Sequence, residues 1–147
     1  MASHGIRDRV AIVGMGCTAF GEHWDRSADD LLVDAVEECF VGTPTIEKDD
    51  VDAYWLGTMN SGQSGMVLSK PLSLDYKPVT RVENFCATGS EAFRNACYAV
   101  AAGAYDRVMA VGVEKLKDSG YSGLVRSNVA GDGTAPELTV TAPAAST

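Results

Sequence analysis

The chain has 147 residues, enough for one ordinary hydrophobic core, so a single domain is the default expectation. Its 20 acidic against 12 basic residues give a formal net charge of −8, which excludes a surface built for nucleic acid or anionic lipid, since those need clustered Lys and Arg. The opening MASHGIRDRV lacks an apolar h-region, and the apolar stretch around Val100 is broken by Gly103, Tyr105 and Asp106, so neither a secretory signal nor a membrane span is expected.

In chain order, Arg9 to Gly14 is a short apolar run stopped by glycine and predicts a buried strand. A loop from Cys17 to Arg26 follows. Ser27-Ala28-Asp29-Asp30 then reads as a capping box, with Ser27 as N-cap of a helix whose apolar stripe is Leu31, Leu32, Ala35, Val36, Cys39 and Phe40. Gly42 and Pro44 end it. Val51 to Gly57 predicts a second strand, Met59 to Gly65 a polar loop, and Met66 to Leu74 a weak short helix. Val79 to Phe85 predicts a third strand, running into Cys86-Ala87-Thr88-Gly89-Ser90. The next helix has Ala92, Phe93, Ala96, Cys97, Val100 and Ala101 at spacings of three and four, with Gly103 as its stop. Arg107 to Val113 is the clearest buried strand of the chain. Strands alternating with helices predict a βαβαβαβ arrangement: a mostly parallel sheet, right-handed crossovers and helices on its faces. The expected core is 1–117. Residues 118–147, rich in Gly, Ser, Thr, Ala and Pro, read as the start of a truncated loop region with a short strand at Leu138-Thr139-Val140.

Chemistry concentrates at Asn84-Phe85-Cys86-Ala87-Thr88-Gly89-Ser90, between a buried strand and an amphipathic helix. A cysteine there meets the unpaired N–H groups and positive dipole end of a helix, which favour the anionic, nucleophilic form of sulfur. Small residues at 87–90 leave the backbone open to a bulky thioester. The Cys86 N–H is placed to help hold an oxyanion at this helix N-terminus. The other cysteines read differently: Cys39 and Cys97 lie on apolar helix stripes and belong to the core, and Cys17 is a loop thiol without a base. None shows CxxC spacing, so all are expected as free thiols in a reducing cytoplasm, with no metal site.

The stretch Val82-Glu83-Asn84-Phe85-Cys86-Ala87-Thr88-Gly89-Ser90-Glu91-Ala92 resembles the nucleophile segment of thiolases, nearest to the sterol-carrier-type and acetyl-CoA acetyltransferase-like branch. Gly103 to Lys115, including Gly112-Val113-Glu114-Lys115, resembles the strand and turn that follow it in that family. Val10 to Gly16 and Asp52 to Gly57 fit in order, so the resemblance covers residues 8–117. It implies the N-terminal half-domain of a thiolase fold, incomplete on its own. It implies that Cys86 attacks an acyl-CoA thioester and becomes acylated, with the N–H groups of Ala87, Thr88 and Gly89 joining that of Cys86 in an oxyanion hole, Asn84 and Glu114 as structural support and Glu114 as a buried polar anchor beneath the site. A coenzyme A thioester is the implied substrate, with no permanently bound cofactor. A homodimer is implied through the Val79–Phe85 strand. The family's histidine motif, second cysteine and CoA-binding loop lie beyond Thr147, so the isolated chain is expected to be inactive.

Other readings stand beside this one. Lipid-transfer-type members of the superfamily are retro-aldolases on steroid side-chain CoA esters, working with a small acyl-CoA-binding partner. A non-catalytic dimerisation scaffold, docking the remainder of the chain, is a third class. His23 offers a Cys86–His23 dyad, against the plainer reading of an exposed loop histidine. Gly14-Met15-Gly16-Cys17-Thr18-Ala19 matches a dinucleotide fingerprint, but the helix opens at Ser27 rather than at the glycines, and a plain tight turn is preferred. The loop from Asn60 to Gly65 offers N–H groups to a phosphate, and a plain solvated connection is again preferred.

Overall fold

The computed structural model describes residues 5–119. Helix α1 spans Ala28–Val41 and opens as the capping box predicts: Ser27 Oγ accepts the Asp30 N–H at 3.1 Å, and the Asp30 carboxylate accepts the Ser27 N–H at 2.8 Å. Strand β1 is Ala53–Gly57, and the one-turn helix α2 is Met66–Ser69, shorter than the predicted Met66–Leu74. Strand β2 is Val79–Val82, helix α3 is Thr88–Ala101 and strand β3 is Val108–Gly112. Gly103 follows α3 at φ +74°, a left-handed position that suits glycine.

The three strands form one parallel sheet in the order β2-β1-β3, with Gly57 of β1 level with Val82 on one side and Gly112 on the other. Parallel pairing requires crossovers, which the α2 region and α3 provide. The Asp52 carboxylate aligns the sheet at its entry by accepting the Asp106 and Arg107 N–H groups at 3.0 and 2.9 Å. The core lies mainly between β1, α1 and the α2 region: Leu32, Tyr54, Leu56 and Leu68 are fully buried, joined by Val36, Val51, Leu72 and Val111. Each such side chain contributes about 1.5–3 kcal/mol of burial. The Tyr54 hydroxyl reaches the Lys48 carbonyl, and burial pushes its phenol up to about 12.

Three expectations need correction. Arg9 to Gly14 forms no strand: the segment lies against α1, and Thr43, just past the end of that helix, donates its Oγ1 hydroxyl to the Val13 carbonyl at 3.2 Å. A cleft of about 630 Å³ is lined by residues 9–16 together with β3, α1 and α3, so the apolar run has no adjacent strand to complete a ladder. Ile12, Val13 and Met15 are therefore exposed. For the same reason β3 is less buried than its sequence predicts, with Val111 its only buried residue. The third predicted strand stops at Val82 instead of Phe85, because residues 85–87 wind into a 3₁₀ turn. A 3₁₀ turn at Lys117–Ser119 spans the expected boundary at 117/118, and the predicted strand Leu138-Thr139-Val140 lies outside the described residues.

Gly57 lets α3 seat on the sheet. A Cβ there would sit 3.1 Å from the Thr88 carbonyl oxygen, 3.2 Å from its methyl and 3.4 Å from the Ala92 Cβ. Gly57→Val is expected to destabilise the protein by about 1–3 kcal/mol through overpacking, measured as a lowered urea midpoint with unchanged m.

Candidate active site

The C-terminal ends of parallel strands share one edge of the sheet, the usual ligand edge of open α/β folds. Cys86 lies on this edge, just beyond β2. The chain reverses there within a few residues: Asn84 has φ −159°, Phe85 enters the left-handed region at φ +45°, and the 3₁₀ turn Phe85–Ala87 passes directly into α3. A left-handed non-glycine residue costs about 1–3 kcal/mol, so its surroundings must hold it. Local bonds do so. The Phe85 N–H donates to the Glu83 carboxylate at 2.5 Å, the Asn84 N–H to Thr88 Oγ1 at 2.7 Å, and the Ala87 N–H to the Asn84 carbonyl at 2.9 Å. Asn84 takes part in these bonds through its backbone N–H and carbonyl.

Cys86 is exposed at the apex, and its sulfur makes no hydrogen bond to a described residue. Of the four expected oxyanion donors, two are already engaged: Ala87 donates to Asn84, and Thr88 donates to the Phe85 carbonyl. The 3₁₀ winding is the cause, since each i→i+3 bond consumes an N–H that an abrupt α-helical start would leave free.

Glu114, just past β3, accepts the N–H groups of Met59, Asn60 and Ser61 at 2.7, 2.9 and 2.9 Å, and the Ser61 hydroxyl at 3.0 Å. The family resemblance implies a buried polar anchor at this position, whereas Glu114 is exposed, because it stands beyond the strand end. These bonds also occupy the N–H groups of Asn60 and Ser61, the first two residues of the candidate phosphate loop. From β2, Arg81 donates to the Gly62 and Met59 carbonyls at 2.8 and 3.1 Å.

His23 is not joined to Cys86. Its ring Nε2 pairs with the Ala19 carbonyl at 2.8 Å, and its backbone N–H donates to Asp118 at 3.0 Å. Lys115 Nζ bonds both Asp118, at 2.5 Å, and the His23 carbonyl, at 2.6 Å, and the Lys115 and Asp118 residues are partly buried. Sequence reasoning found neither this clasp nor the role of Arg81, although an arginine inside an apolar strand was a visible signal. Gly14 and Gly16 pack onto α1, where a Cβ at Gly16 would overlap the Ala35 carbonyl. Close packing therefore accounts for that pair of glycines. Cys39 and Cys97 are partly buried and line the cleft, and burial pushes the Cys39 thiol up.

The sequence of residues 10–142 matches the model of the thiolase N-terminal domain. The chain belongs to the thiolase family. Within that family it is similar to the acetyl-CoA acetyltransferase of Methanocaldococcus jannaschii, 40% identical over 119 residues, which are 77% of this chain and 30% of that protein. The acetyl-CoA acetyltransferase of Methanothermobacter thermautotrophicus is 37% identical over 123 residues, 77% of this chain and 30% of that protein. Sterol carrier protein 2 of Bos taurus is 32% identical over 117 residues, 76% of this chain and 21% of that protein. The chain thus spans less than a third of the length of these relatives. Among the described residues no helix is long and apolar enough to cross a membrane.

Two outcomes follow from the site's bonding. Thr88→Val keeps the shape of a buried residue but leaves the Asn84 N–H without its acceptor. Because Asn84 is exposed and water can replace the lost acceptor, the substitution should cost about 0.5–1.5 kcal/mol in urea unfolding. The Lys115 ammonium, followed by the His23 N–H, holds the Asp118 carboxyl below its usual range. Its contribution to stability is complete above the unfolded value of about 3.9 and disappears as pH falls through the lower folded value. Asp118→Asn should therefore be less stable than the native protein at pH 7, with the gap between their urea midpoints closing towards pH 2.

Proposed function

We propose that these residues carry the acyl-accepting centre of an acyl-CoA C-acyltransferase, with Cys86 as its nucleophile. The observation that carries this reading is the exposed thiol at the apex of a strained strand-to-helix turn, on the ligand edge of a parallel sheet. The two acetyltransferase relatives support the reaction class. The sulfur attacks the thioester carbonyl of an acyl-CoA, a new C–S bond forms, and the CoA thiolate leaves and takes up a proton. The acyl-enzyme then passes its acyl group to a second acceptor, or back to coenzyme A in the reverse direction. Coenzyme A thioesters are the substrates, and no resident cofactor is required.

Two of the four expected oxyanion donors, Ala87 and Thr88, are committed to the turn, so the Cys86 and Gly89 N–H groups are the ones of that set we retain. By family resemblance the reaction also uses a histidine and a second cysteine that follow the nucleophile segment further along the sequence. The 147 residues alone are therefore proposed to be inactive. A homodimer through the Val79–Phe85 segment is proposed as well: family resemblance implies it, and β2 is one of the two edge strands of the described sheet, with one side free of a neighbouring strand. A cytoplasmic location is kept as part of the proposal.

A second reading is favoured by the similarity to sterol carrier protein 2: carbon–carbon cleavage of steroid side-chain CoA esters on the same fold, with an acyl-CoA-binding partner. The two separate on one variant. In the full-length protein, acetyl-CoA should leave an acetyl group on the Cys86 peptide in mass spectrometry. Cys86→Ala should lower acyl transfer by about a thousandfold or more. Undiminished acyl transfer in that variant would refute the nucleophile assignment, and carbon–carbon cleavage that survives it would favour the second reading.

A further inference from the structure

We propose that Arg81 is a positioning residue for Cys86, acting through segment 58–62. This inference rests on the acyl-transfer reading above and extends it to a group that touches neither thioester nor sulfur.

Arg81 is the charged residue of β2, whose sequence is Val-Thr-Arg-Val. It is half-buried opposite Leu56, and among the described residues it forms no ion pair. Its guanidinium is spent on backbone: Nε on the Gly62 carbonyl at 2.8 Å and Nη2 on the Met59 carbonyl at 3.1 Å. From the other side, Glu114 takes the N–H groups of Met59, Asn60 and Ser61. Segment 59–62 therefore hangs between a cation on β2 and an anion beyond β3, with carbonyls turned to the cation and N–H groups to the anion. Ladder bonds normally satisfy such groups, and in an ordinary solvated loop water does. Here charge-assisted bonds hold them, about twice as strong as neutral ones.

The segment flanks the nucleophile turn. Gly57 is level with Val82, so residues 58–62 and 83–86 leave adjacent strands side by side. Thr58 is buried, and Gly57 abuts the first residue of α3. A shift of this wall displaces the turn, and catalytic geometry is sensitive to displacements of about 1 Å. The planar fork matters because it spans carbonyls three residues apart, whereas lysine supplies a point charge.

The test compares Arg81→Lys and Arg81→Met with the native full-length protein. It measures thermal midpoint, acylation of Cys86 by acetyl-CoA, and alkylation of the Cys86 peptide by iodoacetamide. Arg81→Lys retains charge and stem, so its thermal midpoint should stay close to native while the acylation rate falls about tenfold, with KM for acetyl-CoA little changed. Arg81→Met should fall further, about a hundredfold. Should Arg81→Met fail to fold, Arg81→Lys decides alone. Native acylation and alkylation rates in folded Arg81→Lys would overturn the proposal, as would losses that only track the folded fraction. If native Cys86 is never acylated, the acyl-transfer reading fails instead. A slowed alkylation of Cys86 in Arg81→Lys would then still establish the positioning role.

Discussion

Gly57 has no side chain, and the space one would need is filled by the carbonyl and methyl of Thr88. That contact seats α3 directly on the end of β1, while β2, one strand away, must deliver the chain to the same helix. Only a few residues separate Val82 from Thr88, so the chain turns sharply, and the cost appears at Phe85, a non-glycine residue in the left-handed region. Cys86 is exposed because it follows that residue. Had α3 packed further from the sheet, a longer connection would have relaxed the turn and let the cysteine fall among aliphatic side chains.

The edge of the sheet around this turn is built mainly from side chains bonding to backbone. Glu114 and Arg81 grip segment 59–62, and Lys115 with Asp118 grips the loop at His23. Ser61 links the two sets, since its hydroxyl donates to Glu114 and accepts the Lys115 N–H at 2.8 Å. Loops at functional edges need fixed shapes without the ladders that fix strands, and ionised side chains anchored on strands supply them. An exposed carboxylate such as Glu114 serves this purpose because backbone N–H groups bind it multiply, without the desolvation cost of deep burial.

What was legible in the sequence was local. The α1 capping box needs only Ser27 and Asp30, and α3 shows its stripe in a single pass, so both helices were predicted closely. The strand-to-helix turn at Cys86 was legible because strand, small residues and helix are contiguous there. The position of Glu114 came from resemblance, and its N–H partners did not, since they lie more than fifty residues away. An arginine inside a strand marks Arg81 in the sequence but does not reveal its partners, because only the fold brings the Gly62 and Met59 carbonyls to its guanidinium. The count of free oxyanion donors failed for a finer reason. Whether Phe85–Ala87 winds as 3₁₀ or as α decides which N–H groups remain, and residue identity does not settle that choice.

The segment from Arg9 to Gly14 separates two meanings of a strand signal. Its apolar run suits a strand covered on both faces, yet a strand is defined by its neighbour. In this structure β3 and residues 9–16 line the same cleft, with α1 and α3 as its other walls. The segment has found α1, helped by the missing side chains of Gly14 and Gly16, and has found no ladder. Packing against one helix satisfies only part of the pattern, which leaves Ile12, Val13 and Met15 in solvent and β3 half-covered. Both departures from the predicted burial thus have one origin: hydrophobic pattern records how many faces a residue run is suited to cover, and only the surrounding chain determines how many are covered.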